Sequence, residues 1–238
     1  MIGVVIPAHD EAAMIAQCVA SVRRAAAWPA LGGEEVRIVV VADRCADRTA
    51  DIAFTSGAIL VETTEGNVGN ARAVGMQVAI AAGARWLAST DADSLVPGDW
   101  LSAQCGSGAD AFCGMVAVVD WLDWPQGVQD DYARAHRVHD GHAHVHGANL
   151  GVSTSAYLAC GGFRPLAAHE DVALVDALET TGARIARRAA PLVLTSARRS
   201  ARAKDGFADY LLALERRLRA STTLSCPDVM PPDLAHGT

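Results

Sequence analysis

The feature that most constrains the fold is a repeated alternation of short apolar runs and helical segments in the first ninety residues. Continuous apolar runs of five to seven residues are typical of strands that are buried on both faces. Four such runs occur: "IGVVIPA" (2–8), "VRIVVVA" (36–42), "AILVET" (58–63) and "RWLAST" (85–90). Strands that alternate with helices predict an α/β fold in which helices flank a mostly parallel, Rossmann-like sheet.

The segments between these runs predict helices with recognisable ends. "DEAAMIAQCVASVRRAAAW" follows the first run, with Asp10 as the expected N-cap. "ADRTADIAFTSG" is expected to end at Gly57, and "NVGNARAVGMQVAIAAGA" near Gly83. Because ligands bind at the carboxyl ends of parallel strands, polar residues beyond the runs are expected to lie together. These residues are Glu11, Asp43, Arg72, Asp91 and Asp93.

Composition and missing motifs exclude several classes of protein. The net charge of −7 argues against nucleic-acid binding, which needs a basic face. The six cysteines form no C-x-x-C pair, the start shows no signal-peptide pattern, and no apolar run is long enough for a membrane span. We therefore expect a cytoplasmic protein with reduced thiols. No G-x-G-x-x-G or G-x-x-x-x-G-K-[ST] motif is present, which disfavours a dinucleotide oxidoreductase and excludes a P-loop nucleotidase.

Several motifs, in order, resemble those of family 2 glycosyltransferases with the GT-A fold. They are "VVIPAHDEA", "VVVADRCADRTADIA", "GNVGNARAVGM", "STDADSLVPGDWL", "HGANLGVSTSAYLACGGFRPLAAHEDVALVDAL" and "TSARRS". The resemblance implies one GT-A domain over residues 1–222, with a nucleotide-sugar half (1–100) and an acceptor half (101–222). Residues 223–238, which are proline-rich, are expected to form a flexible tail.

The resemblance also implies roles for the D-x-D pair. Asp93 would be the direct ligand of Mn²⁺ or Mg²⁺, metals that prefer hard oxygen ligands. Asp91 would contribute to the same site and contact the ribose or the sugar. Without the other motifs, a D-x-D pair is more typical of a plain turn than of a metal site.

Further nucleotide-binding residues are implied in the same half. Pro7 would shape the turn after the first strand, and Glu11 and Asp43 would hold the nucleoside. Arg72 would lie near the diphosphate or the base. The alternatives are that Asp43 caps the following helix and that Arg72 is an ordinary exposed helix residue.

In the acceptor half, the resemblance implies that Asp171 is the general base for the acceptor hydroxyl, with Glu170 as the second choice and His169 beside them. Acids in a first helical turn also oppose the helix dipole, which is the structural alternative. Gly147 would permit close approach of the ligand, and Asn149 would bind a sugar hydroxyl.

Histidines, arginines and tryptophans of the second half leave alternatives open. The five histidines of "HRVHDGHAHVHG" allow two interpretations. In one, they bind zinc. In the other, a helix ends near Gly141 and a strand follows, with alternate side chains on opposite faces and one histidine reaching the pocket. These are His136, His139, His142, His144 and His146. Trp121 and Trp124 either stack on a sugar or belong to the core.

A basic segment runs from Arg184 to Lys204 without an acidic residue. Arg198 and Arg199 in this segment would bind phosphate oxygens. The alternatives are a solvated loop and peripheral contact with an anionic membrane surface.

Together these features predict a metal-dependent glycosyltransferase. It would move a sugar from a UDP- or GDP-type donor to an unknown hydroxyl acceptor, and the resemblance implies inversion at the anomeric carbon. One alternative is a sugar nucleotidyltransferase, which would need a Gly-rich basic turn that "IPAHDEA" lacks. Another is a non-catalytic nucleotide-sugar binder, which would have no use for the acids at residues 170 and 171.

Overall fold

The computed structural model describes residues 1–118, 120–166, 168–199 and 206–224, with side chains up to residue 220. The strands are β1 (Ile2–Ala8), β2 (Val36–Asp43), β3 (Ile59–Thr63), β4 (Trp86–Ser89), β5 (Ser94–Leu95), β6 (Ala111–Val118), β7 (Leu150–Ser153) and β8 (Ile185–Thr195). The helices are α1 (Ile15–Ala26), α2 (Thr49–Thr55), α3 (Val68–Ala81), α4 (Trp100–Gly106), α5 (Gln126–Ala135), α6 (Thr154–Ala159), α7 (Glu170–Thr180) and α8 (Phe207–Leu224). Arg202, Lys204 and the predicted tail beyond Leu224 lie outside the described residues.

The strands form one eight-stranded sheet in the order β3-β2-β1-β4-β7-β6-β8-β5. Strands β1 to β4 are mutually parallel where they pair, with Ile2 opposite both Val36 and Trp86. Strand β7 is antiparallel to β4 and β6, while β6 and β8 are parallel. The predicted α/β class with a mostly parallel sheet is confirmed.

Helices cover both faces of the sheet. Successive β1 side chains point to opposite faces, and both sets are apolar and pack against a helix. Ile6 packs in a cluster with Ile15 of α1 on one face. Val5 packs in a second cluster with Met76 of α3 on the other. Both faces are therefore buried under helices, which explains why the sequences of the first strands are continuous apolar runs.

A third cluster joins α5 to α8. Trp124 is buried in this cluster with Tyr132 and Leu211. The half-buried Trp121 packs edge-on against Tyr132, with ring centroids 5.3 Å apart. The core interpretation therefore holds for Trp124.

Several predicted boundaries need correction. Helix α1 begins at Ile15, and Asp10 is not its N-cap. The carboxylate of Asp10 instead accepts backbone hydrogen bonds from Ala46 (2.7 Å) and Asp47 (3.2 Å), which ties the loop after β1 to the loop after β2.

In the second half, α5 ends at Ala135, and the histidine segment that follows is irregular rather than helix and strand. Helix α8 runs to Leu224, so the expected boundary at residue 222 falls inside a helix. Within the described residues, every helix is too short or too polar to cross a bilayer.

Candidate active site

A cleft of about 620 Å³ opens at the carboxyl ends of β1, β2 and β4. Most of the predicted site residues line this cleft: Pro7, Glu11, Asp43, Arg72, Asp91, Asp93, Gly147, His169, Glu170, Asp171 and Arg198. The convergence expected from parallel-strand topology is therefore present. Pro7 lies within β1, so the turn that it was expected to shape begins beyond Ala8.

Arg72, on α3, organises the floor of the cleft. It is only 3% exposed, so its charge needs partners inside the protein. Its Nη2 lies 2.6 Å from Asp91 Oδ1, and its Nε lies 3.0 Å from Glu170 Oε1. Burial acts to lower the pKa of Arg72, but the carboxylates outweigh it and the pKa is raised. Arg72 therefore links the D-x-D turn to α7 and is not an exposed helix residue.

Arg198, in the segment after β8, makes a similar link in the same cleft. Its Nη1 lies 2.6 Å from Glu11 Oε1, and its Nη2 lies 3.3 Å from Asp93 Oδ2. Burial raises the pKa of Asp93 to about 6; Arg198 opposes this rise, and Asp91 and Glu11 add to it. The guanidinium thus partly balances a cluster of acids that burial and mutual repulsion make costly to ionise.

Asp43 holds the loop before α3 rather than capping α2. Its Oδ2 accepts a hydrogen bond from the backbone of Asn67 (2.7 Å). Its Oδ1 accepts from the backbone of Gly66 and from Thr63 Oγ1, both at 3.0 Å. A buried carboxylate with three donors is well ordered, so Asp43 fixes this rim of the cleft.

The two acids at the start of α7 have different surroundings. Glu170 is buried against Arg72, and burial raises its pKa, which Arg72 opposes. Asp171 is half-buried, and its Oδ2 accepts from the backbone N–H of Gly147 at 2.7 Å. His169, exposed before them, has a left-handed backbone (φ 57°) that turns the chain into the helix.

Gly147 was expected to permit close approach of a ligand, and the group that lies close to it is the Arg72 guanidinium. A Cβ at this position would lie 2.4 Å from Arg72 Nη2, and the Gly147 carbonyl accepts from Arg72 Nη1 at 3.2 Å. The absence of a side chain therefore serves the arginine network of the floor.

Asn149 is fully buried and does not line the cleft, contrary to the expectation that it binds a sugar hydroxyl. Its Nδ2 donates to the carbonyls of Met115 (2.8 Å) and Pro191 (2.9 Å). Its Oδ1 accepts from Trp100 Nε1 at 2.9 Å. With both amide hydrogens used, Asn149 joins β6, β8 and α4.

Arg199 also departs from its predicted role. Its guanidinium lies over the Trp124 ring, 4.1 Å from the centroid, and its Nη1 bonds Glu215 at 2.9 Å. It faces α8, outside the cleft lining. The two adjacent arginines thus diverge: Arg198 enters the site and Arg199 fastens α8.

The histidine segment forms a stack of rings. His136 and His144 are stacked at 4.7 Å, and His144 and His146 at 5.9 Å between centroids. All five histidines of the segment are described, and no three of their ring nitrogens lie within 4.8 Å of one another. The zinc alternative is therefore not supported, and His136 and His146 both line the cleft.

The donor set around the D-x-D pair fits a divalent cation. Asp91 and Asp93 offer hard carboxylate oxygens within one acidic cleft, where burial raises the pKa of Asp93 and the neighbouring acids Asp91 and Glu11 add to the rise. Mg²⁺ typically uses one or two carboxylates and completes its shell with water and substrate phosphates. A complete protein cage is therefore not required here.

Sequence reasoning missed two parts of the site. Ser89, at the end of β4, hydrogen-bonds Arg72 Nη1, and its position in "STDADS" was the available signal. Phe207 and Tyr210 of α8 also line the cleft. They lie far along the chain from the other motifs, so no local pattern marks them.

The sequence comparison assigns the family. A model of glycosyl transferase family 2 matches residues 3–148, which is more than half of the chain. The chain belongs to this family, and the glycosyltransferase class predicted from the motifs is confirmed. No curated protein gives a significant match to the sequence.

Solved structures confirm the GT-A fold. A fragment of S. aureus TarS in complex with UDP-GlcNAc has a TM-score of 0.65 at 16% identity, over 96% of this chain and 68% of that one. The mannosyltransferase PcManGT from Pyrobaculum calidifontis, in complex with GDP-Man and Mn²⁺, scores 0.64 at 16% identity, over 95% and 76%. Glucosyl-3-phosphoglycerate synthase from Mycobacterium tuberculosis, with Mn²⁺, UDP and phosphoglyceric acid, scores 0.54 at 19% identity, over 96% and 80%.

Proposed function

We propose that this protein transfers a sugar from a nucleoside-diphosphate sugar, of the UDP or GDP type, to an acceptor hydroxyl. One observation carries the proposal: a single cleft is lined by the D-x-D acids and by Asp171, whose orientation is fixed by Gly147 N–H at 2.7 Å. The UDP-GlcNAc and GDP-Man complexes of TarS and PcManGT support this class of donor. The nucleoside would occupy the end near Asp43.

Asp93, assisted by Asp91, would hold Mn²⁺ or Mg²⁺ together with the donor diphosphate. When bound, the cation supplies Lewis-acid stabilisation of the charge on the leaving diphosphate. Arg198 would contribute to the same end of the cleft, because its guanidinium now lies between Glu11 and Asp93. A diphosphate would compete with these carboxylates for it, with bidentate hydrogen bonds as the gain.

Asp171 is the proposed general base. An alcohol is a poor nucleophile until a carboxylate within hydrogen-bond reach removes its proton. Asp171 is the more accessible of the two α7 acids, whereas Glu170 is held by Arg72 at 3.0 Å. We assign Glu170 to positioning Arg72. Proton removal by one base and direct displacement of the diphosphate would invert the anomeric carbon.

A reducing compartment suits this chain, since its five described cysteines are all free thiols. We include a cytoplasmic site of action in the proposal on that basis.

Donor binding is tested by thermal unfolding with UDP, GDP, ADP, CMP and dTDP, each with Mn²⁺ and with chelator. A ligand at about 100 times its Kd stabilises by ~2.7 kcal/mol, which raises the Tm of a chain of this size by roughly 5–10 °C. We expect one diphosphate to act only with metal, and Asp93→Ala to abolish its effect. No shift for any nucleotide would refute the donor site.

Catalysis is tested separately with Asp171→Asn and, as a matched variant, Glu170→Gln. Asp171→Asn should retain the nucleotide-induced rise in Tm and lose transfer by at least ~100-fold. The anomeric configuration of the product, read by NMR, reports inversion. A protein that only binds nucleotide-sugar would show the rise in Tm without any turnover, even with water.

A further inference from the structure

Arg44 lies at the end of the cleft where we place the nucleoside, directly after Asp43, and both residues line the cleft. It differs from the other arginines of the lining. The guanidinium groups of Arg72 and Arg198 each contact two carboxylates. The guanidinium of Arg44 is exposed and makes neither a hydrogen bond nor an ion pair with the described residues. Its N–H donors are therefore available to a ligand.

The backbone around Arg44 holds its side chain at the rim of the cleft. Arg44 has a left-handed backbone (φ 52°), which is uncommon for a residue other than glycine, and its N–H donates to the Thr63 carbonyl at 2.9 Å. The guanidinium lies against Gly66, another residue of the lining, where a Cβ would be 2.6 Å from Arg44 Nη1. Strained backbones of this kind occur preferentially at ligand-binding sites.

Asp43 supplies only hydrogen-bond acceptors at this end of the cleft. An ionised carboxylate has roughly four lone-pair sites. The N–H groups of Gly66 and Asn67 and the hydroxyl of Thr63 occupy three of them. Asp43 can therefore accept about one further hydrogen bond, such as that of a base N–H. Arg44, the next residue, can only donate.

An acceptor beside a donor matches one class of nucleobase. Uracil carries an N3–H donor next to the carbonyl at C4, and guanine and hypoxanthine carry an N1–H donor next to the carbonyl at C6. Cytosine and adenine have the reverse order, a ring-nitrogen acceptor next to an amino donor. Against Asp43 and Arg44, this reverse order would place acceptor against acceptor and donor against donor. Groups left unpaired in this way weaken binding.

We propose that Arg44 determines the nucleobase specificity of the donor site. Its guanidinium donates to the carbonyl at C4 of a pyrimidine or C6 of a purine, while Asp43 accepts from the adjoining N–H. Arg44 thereby selects keto bases over amino bases. This inference rests on the proposed function and adds a specificity-determining residue to it.

Two matched pairs of nucleotides test the selection in the wild type. UDP and CDP differ in the base edge at N3 and C4, and inosine diphosphate and ADP differ in the edge at N1 and C6. Dissociation constants are measured by calorimetry with Mn²⁺ present. Within a pair that binds, the keto nucleotide should bind at least ~10-fold more tightly, the worth of one hydrogen bond to a charged group. Equal or reversed affinities would overturn the proposal.

Substitution of Arg44 tests whether this residue causes the selection. Glycine adopts a φ of 52° without strain, so Arg44→Gly guards against a loss that is due to misfolding. In Arg44→Gln the amide can donate or accept. In both variants the keto-to-amino ratio of affinities should fall to ~3-fold or less. An unchanged ratio in both would overturn the proposal.

The matched control is Arg48→Gln. Arg48 is an exposed arginine of the same loop, at the start of α2 and outside the cleft lining. This variant should keep the wild-type ratio, and a ratio that fell as far as in Arg44→Gln would refute a specific role for Arg44.

Two outcomes separate this proposal from the proposed function. If no nucleotide binds the wild type, the donor site itself is refuted, and the role of Arg44 with it. If nucleotides bind and Arg44→Gly weakens the keto and amino members of a pair equally, the donor site stands. The guanidinium would then act by stacking or by charge, and its hydrogen bond to the base carbonyl would be refuted.

Discussion

Asp93→Asn should stabilise the metal-free protein at pH 7, although it removes the proposed metal ligand. The pKa of Asp93 is raised from its ordinary value of 3.8 to about 6, chiefly by burial. Its side chain is 13% exposed, so little of this effect is lost to solvent screening. A difference of one between the pKa values in the folded and unfolded states corresponds to ~1.4 kcal/mol. Ionised Asp93 therefore lowers the free energy of unfolding by up to about 3 kcal/mol.

The sign of the pH dependence follows from proton binding. Between about pH 4 and pH 6 the folded protein holds the Asp93 proton more tightly than the unfolded chain does. The Asp93 contribution to stability therefore falls as the pH rises through this window. Asn mimics the neutral carboxyl and does not titrate. The stability of the variant relative to the wild type should therefore increase as the pH rises through the same window.

Thermal unfolding in chelator from pH 4 to pH 8 measures this directly. At ~2–4 °C per kcal/mol for a chain of this size, we expect Asp93→Asn to raise the Tm by up to roughly 6–12 °C at pH 7, with the difference vanishing near pH 4. The matched control is Asp91→Asn, which should lower the Tm, because Asp91 neutralises the buried Arg72 at 2.6 Å. A lower Tm for Asp93→Asn at pH 7, or a difference that is independent of pH, would refute the reasoning.

Other substitutions separate the structural from the functional arginines. Arg72→Met should lower the free energy of unfolding by ~3–5 kcal/mol in urea titration, because it leaves the buried Glu170 and Asp91 without their cation. Gly147→Ala should reduce turnover and destabilise by ~1–3 kcal/mol, because its Cβ would lie 2.4 Å from Arg72 Nη2. Arg198→Ala should weaken nucleotide binding by calorimetry by at least ~10-fold. Arg199→Ala should lower the Tm by a few degrees and leave the nucleotide Kd unchanged, because it contacts α8.

Each of these expectations has a contrary result. A stable Arg72→Met would mean that its carboxylates are better hydrated than their burial indicates. Full turnover in Gly147→Ala would show that the guanidinium tolerates displacement. Equal nucleotide affinities in Arg198→Ala and Arg199→Ala would remove Arg198 from the proposed phosphate site.

The first hundred residues could be predicted from sequence because their signals are local and topological. Buried parallel strands are visible in the sequence as apolar runs. Because ligands bind at the carboxyl ends of parallel strands, Glu11, Asp43 and Asp93 could be placed in one cleft without knowledge of any contact. Asp10 shows the limit of this reasoning. Helix α1 begins only at Ile15, and the Asp10 carboxylate is used instead in tertiary hydrogen bonds to the loop after β2, which no local pattern predicts.

Residues of the second half of the chain resisted prediction because their roles depend on long-range partners. Nothing local distinguishes Arg198 from Arg199; the first finds Glu11, 187 positions away, and the second finds Glu215 on α8. In the sequence Asn149 is a plausible ligand-binding amide, but in the structure its Nδ2 donates both hydrogens to the carbonyls of Met115 and Pro191. The rings of His136, Phe207 and Tyr210 in the cleft lining come from an irregular segment and from α8, so they have no common periodic pattern in the sequence.

The two arginine bridges make the site and the fold a single cooperative unit. Arg72 ties the D-x-D turn to α7, and Arg198 ties the segment after β8 to the loop after β1. Each bridge thus joins the first hundred residues to the rest of the chain. The halves should therefore open together in native-state hydrogen exchange. Sequence change at Asp91 and Glu170 is restricted, because losing either acid leaves the buried Arg72 without a partner and so costs stability as well as chemistry.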